Sequence, residues 1–460
     1  MELVVLLDKT LKWTDAFALS MSVSGAIFAS FGFALGYLGA FTAIFVWVFA
    51  ALIGSLQNWF FLEAANMFPD KSGGIALIAT EGWKDKVPLA GPLASFGYWM
   101  GWSAVLSIVG VSSGSIIKEQ WFPKSNFALS LGFTNLELPQ IFAIIIIIVF
   151  WILNRRGIDL AAKVSKIMGF FLLIPVTVLA LAPFISSDWH VERLRENFHI
   201  EHFTTLGGFK VLAIWLFLVC WSAYGTEMCA SFAPEYKTTR DMKLSLISSG
   251  FYTVLVFLFV GIGIAGLVDA KTALENPNGF YINMFVQLTG ERWAPLFSIS
   301  LLFALFMGVN AGIADGSRAL YGMAQEGLTL KQFSKLNKHN IPERCIIVAV
   351  FINVLMIIFL KSPLAILVAA NLGYVISIFF ALTGYCFLKT QYINQNREIK
   401  LSQKWIPWAY VLSIYTLIVL IVGVLFTEEA GYGSIKELVI GILILLTSLI
   451  FYWFRKTFQK

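Results

Sequence analysis

The chain has 460 residues, 58% of them hydrophobic and 13% charged, with a mean hydropathy of +0.79 and a formal net charge of +6. A soluble domain carries about 25% charged residues, so this composition excludes a soluble globular protein and describes a polytopic membrane protein. The pI near 9.0 does not mark a nucleic-acid binder, because the basic residues lie in short segments between apolar runs, where they set membrane topology.

A spanning helix needs about 20 apolar residues. Such runs are expected near 13–38, 39–66, 90–117, 139–155, 160–184, 210–234, 243–268, 293–324, 345–360, 364–388, 406–427 and 435–454, giving twelve. No cleaved signal peptide is expected, since the first apolar run is long and no small-residue cleavage pattern follows a short one. The four cysteines, Cys220, Cys229, Cys345 and Cys386, fall in or beside apolar runs. Cys220 and Cys229 would lie about 13 Å apart on one helix, too far for a disulfide, and no metal-ligand spacing is present.

Orientation follows from Lys and Arg. With the N-terminus in the cytoplasm, the inner segments hold 23 basic residues and the outer segments 9, among them Lys361; the inner set ends with Lys460. Both termini are therefore expected in the cytoplasm of a plasma (inner) membrane protein. The span starts also repeat. Spans one to five begin near 13, 39, 90, 139 and 160, and spans six to ten near 210, 243, 293, 345 and 364, an offset of roughly 200. Five crossings is an odd number, so the second set must be inverted, as in secondary transporters. The expected organisation is a tail at 1–12, a first repeat at 13–184, an outer loop at 185–209, a second repeat at 210–388, an inner loop at 389–405, and two further spans with a tail at 406–460.

Span six contains a flaw. Its apolar run stops at Ser222-Ala223-Tyr224-Gly225-Thr226-Glu227, which places a carboxylate well inside the membrane. An ionisable residue at that depth costs roughly 2.5 kcal/mol or more and usually faces a pathway or a partner. Span one carries the matching small, polar stretch, Ser24-Gly25-Ala26-Ile27-Phe28-Ala29-Ser30. Two helices broken in corresponding positions point to a transport site at the repeat interface. Half-helix N-termini suit a carboxylate and unwound carbonyls suit an ammonium, so the pair reads as a receptor for the zwitterionic part of an amino acid.

These residues resemble the amino acid–polyamine–organocation (APC) superfamily over roughly 10–390. Glu63…Pro69…Ser72-Gly73-Gly74 is similar to that superfamily's E…P…SGG signature. Asn310…Gly316-Ser317-Arg318…Met323-Ala324…Gly327-Leu328…Pro342 is similar to its eighth-helix block, with Glu326 where Asp is common. Trp221-Ser222 with Gly225 and Glu227 looks like the sixth helix of arginine:agmatine exchangers, and the stretch Arg156 to Ala182 looks more like glutamate:GABA exchangers. The resemblance implies an all-α membrane protein of twelve transmembrane helices. It would be a 5+5 inverted repeat of the LeuT-like fold with broken helices 1 and 6 and two extra C-terminal helices. It also implies substrate contacts from Ala26, Ile27 and Ser30 of helix one, from Trp221, Ser222, Ala223 and Tyr224 of helix six, and from Gly101, Trp102 and Leu106 of helix three. Two departures stand out. Phe31 replaces a glycine beside the expected carboxylate site, and Leu172 stands where proton-coupled members carry a fifth-helix lysine.

Glu227 reads either as a proton or substrate contact or as an interhelical hydrogen bond, and Trp221 as a gate or as packing. Arg318 is expected in a cytoplasmic gate or at a helix end, and Glu63 in a structural pair. Asp315 reads as a cation ligand or, by preference, as the partner of a loop lysine. His190, His199 and His202 read as solvated loop residues. The expected activity is secondary transport of an amino acid, as an exchanger or a proton-linked permease. A neutral cargo is favoured because the expected pocket of Trp102, Leu106, Trp221 and Tyr224 is apolar and aromatic. A transport-inactive sensor or scaffold on the same fold and an exchanger of polyamines or cationic amino acids are the alternatives. No catalytic constellation, cofactor, metal or nucleic-acid partner is expected; the surroundings are a lipid bilayer and the chain is a monomer or homodimer.

Overall fold

Backbone groups inside a bilayer have no water to bond, so apolar runs of spanning length fold as helices. A computed structural model describes residues 7–277, 279–359, 363–430 and 435–459. Residues 1–6 of the expected tail, and Lys361 and Lys460 of the basic count, lie outside the described residues. The first half of the chain forms α1 (Trp13–Gly25), α2 (Ile27–Leu38), α3 (Ala40–Met67), α4 (Gly74–Trp83) and α5 (Ala90–Trp121). A short antiparallel ribbon follows, β1 (Ala128–Ser130) with β2 (Asn135–Glu137), pairing Ala128 with Glu137. Then come α6 (Leu138–Asn154), α7 (Ile158–Ile185), α8 (Glu201–Thr204) and α9 (Leu206–Ala223). The second half holds α10 (Thr239–Leu267), α11 (Ala270–Glu275), α12 (Phe280–Thr289), α13 (Ala294–Gln325), α14 (Glu343–Phe359), α15 (Pro363–Gln391), α16 (Ile406–Phe426) and α17 (Ile435–Phe458).

Ten helical stretches among the described residues are long and apolar enough to cross a membrane. The expected spans at 139–155 and 345–360 fall on α6 and α14, each 17 residues long. A helix of that length rises about 26 Å, near the lower limit for crossing the ~30 Å hydrocarbon core, so among the described residues length and apolarity alone mark the ten longer stretches.

Helix α5 is the axis of the bundle. Nearly all of its length from Ala90 to Ile116 is buried, and its main neighbours are α13 and α15. Around it α1 packs on α7, α10 and α13, and α3 packs on α9 and α10. Helices α16 and α17 lie at the periphery and expose large apolar side chains such as Ile414, Leu425, Ile450 and Trp453, the surface expected of a helix facing lipid. The Ser72-Gly73-Gly74 turn starts α4, and Gly74 has a φ of +52°. A Cβ there would collide with the Ser231 hydroxyl and lie 3.0 Å from the Ser231 nitrogen, so the glycine lets this loop press against the residues after the span-six break.

Glu63 is fully buried at the far end of α3, as an inward-facing carboxylate needing partners. It accepts from Lys389 Nζ at 2.7 Å, from Arg397 Nη2 at 2.5 Å and from the Tyr385 hydroxyl at 2.7 Å. This is the structural pairing expected of it, and it ties α3 to the end of α15 and the loop beyond. Removing one member of a buried ionic cluster leaves uncompensated charge and costs roughly 3–5 kcal/mol. Glu63→Ala, which strands Lys389 and Arg397, is therefore expected to lower the melting temperature of the detergent-solubilised protein strongly; an unchanged transition contradicts this role.

Candidate functional site

Helix α9 stops at Ala223. Tyr224 turns extended (φ −80°, ψ −153°), Gly225 takes a φ of +100°, and the chain resumes as a 3-10 helix over Thr226–Glu235. Only glycine adopts that left-handed conformation without strain. The break leaves backbone groups without helical partners deep in the bundle, and a local side chain takes up one of them. The buried Glu227 accepts from the Gly225 N–H through Oε2 at 2.7 Å, and through Oε1 accepts from the Tyr374 hydroxyl of α15 at 2.6 Å. Asn58 of α3 donates to the Thr226 hydroxyl at 2.8 Å. The open segment is thus braced from two neighbouring helices.

Span one is interrupted much less than the sequence suggests. The break is confined to Ala26, which keeps right-handed helical angles (φ −63°, ψ −19°) between α1 and α2. Small hydroxyls satisfy the local carbonyls: Ser24 donates to Met21 O at 2.7 Å and Ser30 to Ala26 O at 3.3 Å. No residue from Ser24 to Ser30 takes a positive φ, so the helix tightens by one turn and does not unwind. Phe31 turns away from the break and meets Trp47 of α3 edge-on, with ring centroids 5.8 Å apart.

A cavity of about 40 Å³ lies at the break. Span one supplies Ser22, Val23, Gly25 and Ala26. The span-six side supplies Trp221, Ser222, Tyr224 and Gly225, α5 supplies Trp102, Val105 and Val109, and α13 supplies Ala304, Leu305 and Gly308. This is room for about three waters, so a larger solute enters only as side chains move. Of the expected contacts, Ala26, Trp102, Trp221, Ser222 and Tyr224 line the cavity. Ser30 stands one bond back, hydrogen-bonded to Ser222 at 2.8 Å, and the Gly101 carbonyl accepts from Trp221 Nε1 at 3.1 Å. Ile27, Leu106 and Ala223 are buried outside the lining; the Ile27 carbonyl accepts from the Tyr281 hydroxyl at 2.9 Å. The α13 wall of Ala304, Leu305 and Gly308 was not anticipated. It is a run of small and aliphatic residues in an apolar helix, and only its position in the bundle distinguishes it.

Beyond the break, Arg318 and Glu235 are both about 1% exposed. They form a two-pronged pair, with Nε to Oε1 at 2.8 Å and Nη2 to Oε2 at 3.0 Å. The pair links α13 to the end of the 3-10 segment. Glu235 also lines a larger, polar recess with Arg156, Lys163, Lys338 and His339. The ion pair therefore borders that recess through Glu235. Asp315 differs from its expected role. It pairs with no loop lysine: it is fully buried on α13, and neither carboxylate oxygen has a hydrogen-bond partner among the described residues.

The chain matches the amino acid permease family over residues 11–450. Among curated proteins it is 26% identical to amino-acid permease RocE of Bacillus subtilis, over 74% of this chain and 71% of that one. It is 21% identical to the lysine-specific permease LysP of Lactococcus lactis, over 88% and 81%. To the D-serine/D-alanine/glycine transporter of Escherichia coli K12 it is 22% identical, over 56% and 53%.

A side chain at Gly225 would be strained by the left-handed backbone, about 1–2 kcal/mol for an L-residue, and its Cβ would lie 3.0 Å from Val23 Cγ2. Gly225→Ala is expected to destabilise the protein by about that amount in thermal unfolding. Gly207→Ala, in a position whose nearest neighbour is 4.0 Å away, is the neutral control; equal melting of the two variants contradicts the assignment.

Proposed function

Because the chain belongs to the amino acid permease family, a family of transporters and not of enzymes, we propose that it moves a neutral amino acid across the plasma membrane by alternating access. The observation that carries the cargo class is the cavity lining: aromatic, aliphatic and small residues with two serines, and no charged side chain. The one carboxylate at the break, Glu227, does not line the cavity and accepts from Gly225 and Tyr374. The Ser22 and Ser222 hydroxyls and the backbone around Gly225 supply polar groups for the zwitterion.

The packing supports a fold of two inverted repeats, 13–184 and 210–388, within twelve spans whose two short members are α6 and α14. The contact of α5 with α15 recurs as that of α13 with α7, and the contact of α1 with α10 recurs as that of α9 with α3. Helix α4, after the second span, rests on the 3-10 segment of span six; α11, after the seventh, rests on α2. Residues Arg318 and Glu235 form the closed gate on the side where the basic loops place the cytoplasm. Two of the relatives differ in the cargo their names give, lysine in one and small neutral amino acids in the other, so cationic cargo is the competing reading.

The test is uptake of radiolabelled amino acids into proteoliposomes, empty or preloaded with the same amino acid, with and without a pH gradient. Saturable counterflow of neutral amino acids is expected. Counterflow restricted to lysine or arginine overturns the neutral cargo, and binding without any uptake replaces transport by a sensor role.

A further inference from the structure

Asp315 lies in the middle of α13 with 0% exposure, and neither carboxylate oxygen is hydrogen-bonded among the described residues. An ionised carboxylate so placed carries a penalty of several kcal/mol unless a cation compensates it. Among the described residues the fixed cation near it is Arg318, one turn along the same helix, which is paired with Glu235 through two hydrogen bonds. The titratable groups facing it from the packed elements are Tyr98 of α5, Glu227 of the 3-10 segment and Tyr374 of α15, none of which is basic. The charges of the first and fifth spans, Asp15 and Lys166, are paired with each other at 2.5 Å.

The surroundings form a route to the break. The Tyr98 and Ser231 hydroxyls stand beside Asp315 and lie 3.4 Å from each other. The Tyr98 ring stacks on Tyr374, centroids 6.2 Å apart, and the Tyr374 hydroxyl donates to Glu227 at 2.6 Å. Glu227 in turn holds the Gly225 N–H. A change of charge on Asp315 is therefore felt at the segment that lines the cavity. Asp315 itself does not line that cavity and is 0% exposed; a proton, unlike a hydrated ion, needs no cavity of its own.

We propose that Asp315 is the proton-carrying carboxyl of this permease, coupled to the substrate cavity through the Tyr98, Ser231 and Tyr374 hydroxyls and Glu227. One proton binds one carboxylate oxygen from one side of the membrane, neutralises the buried group during the conformational change, and leaves to the other side. This rests on the transport reading above, and the test separates the two.

Infrared difference spectroscopy of the purified protein across a pH titration needs no transport. A carbonyl band of a protonated carboxylic acid that titrates in wild type and is missing in Asp315→Asn is expected; a wild-type band that persists unchanged in Asp315→Asn overturns the proposal whatever the cargo. In proteoliposomes, one proton per amino acid and a gradient of one pH unit support at most about tenfold accumulation, because a pH unit is worth ~1.4 kcal/mol per proton. Asp315→Asn is expected to collapse this ratio to about one, measured against counterflow in the same vesicles, and Asp315→Glu to restore part of it. Parallel loss of accumulation and counterflow, an unaltered ratio, or a driving force from sodium in place of protons each contradict the role. Failure of wild-type counterflow for every amino acid refutes transport and leaves the spectroscopic result to decide the proton site.

Discussion

A helix interrupted inside an apolar slab must find partners for the backbone groups it releases, because the lipid offers none. At Tyr224-Gly225 one is found within the same segment: the Gly225 N–H turns onto Glu227, and Glu227 is held by Tyr374. The cavity, the 3-10 course of Thr226–Glu235 and the approach of the Ser72-Gly73-Gly74 turn all depend on that bracing. Glu227 thus accepts two hydrogen bonds at the break, one from the opened backbone and one from α15.

The other buried charges follow one rule with one exception. Glu63 is matched by Lys389 and Arg397, and Glu235 by Arg318. Pairs of this kind add little net stability but are costly to break singly, which makes them suited to holding helix ends in a definite arrangement. The Arg318–Glu235 pair adds a second property. It joins α13 to the far end of the broken span, and its Glu235 also lines the polar recess. Asp315, one turn away and unpaired, is the exception, and an unpaired buried carboxylate is where a mobile charge would act.

Much of the architecture was legible in the sequence because it is set by length and apolarity. Runs of about 20 apolar residues give twelve expected spans, ten of which are long, apolar helical stretches among the described residues, and the break in span six follows from a glycine beside a carboxylate in such a run. What escaped is set by partners that are distant in sequence. The serines of span one look like helix breakers, yet in place Ser24 and Ser30 bond the carbonyls behind them and keep the helix nearly whole. Asp315 looks like a candidate for a loop lysine until α13 is placed, when its neighbours prove to be Tyr98 and Ser231. The α13 wall of the cavity carries no polar mark at all. Ala304, Leu305 and Gly308 become site residues only because α13 and α5 pack side by side.

The claim on which the account stands is that the opened backbone at Tyr224-Gly225 is where the solute engages. Hydrogen–deuterium exchange of the purified protein, with and without a saturating neutral amino acid that it takes up, tests this directly. The account predicts slowed exchange at the amides of 222–228 and of α1 near Gly25, with α16 unaffected. Protection confined to the polar recess around Arg156 and Lys338, with the break unchanged, would contradict it.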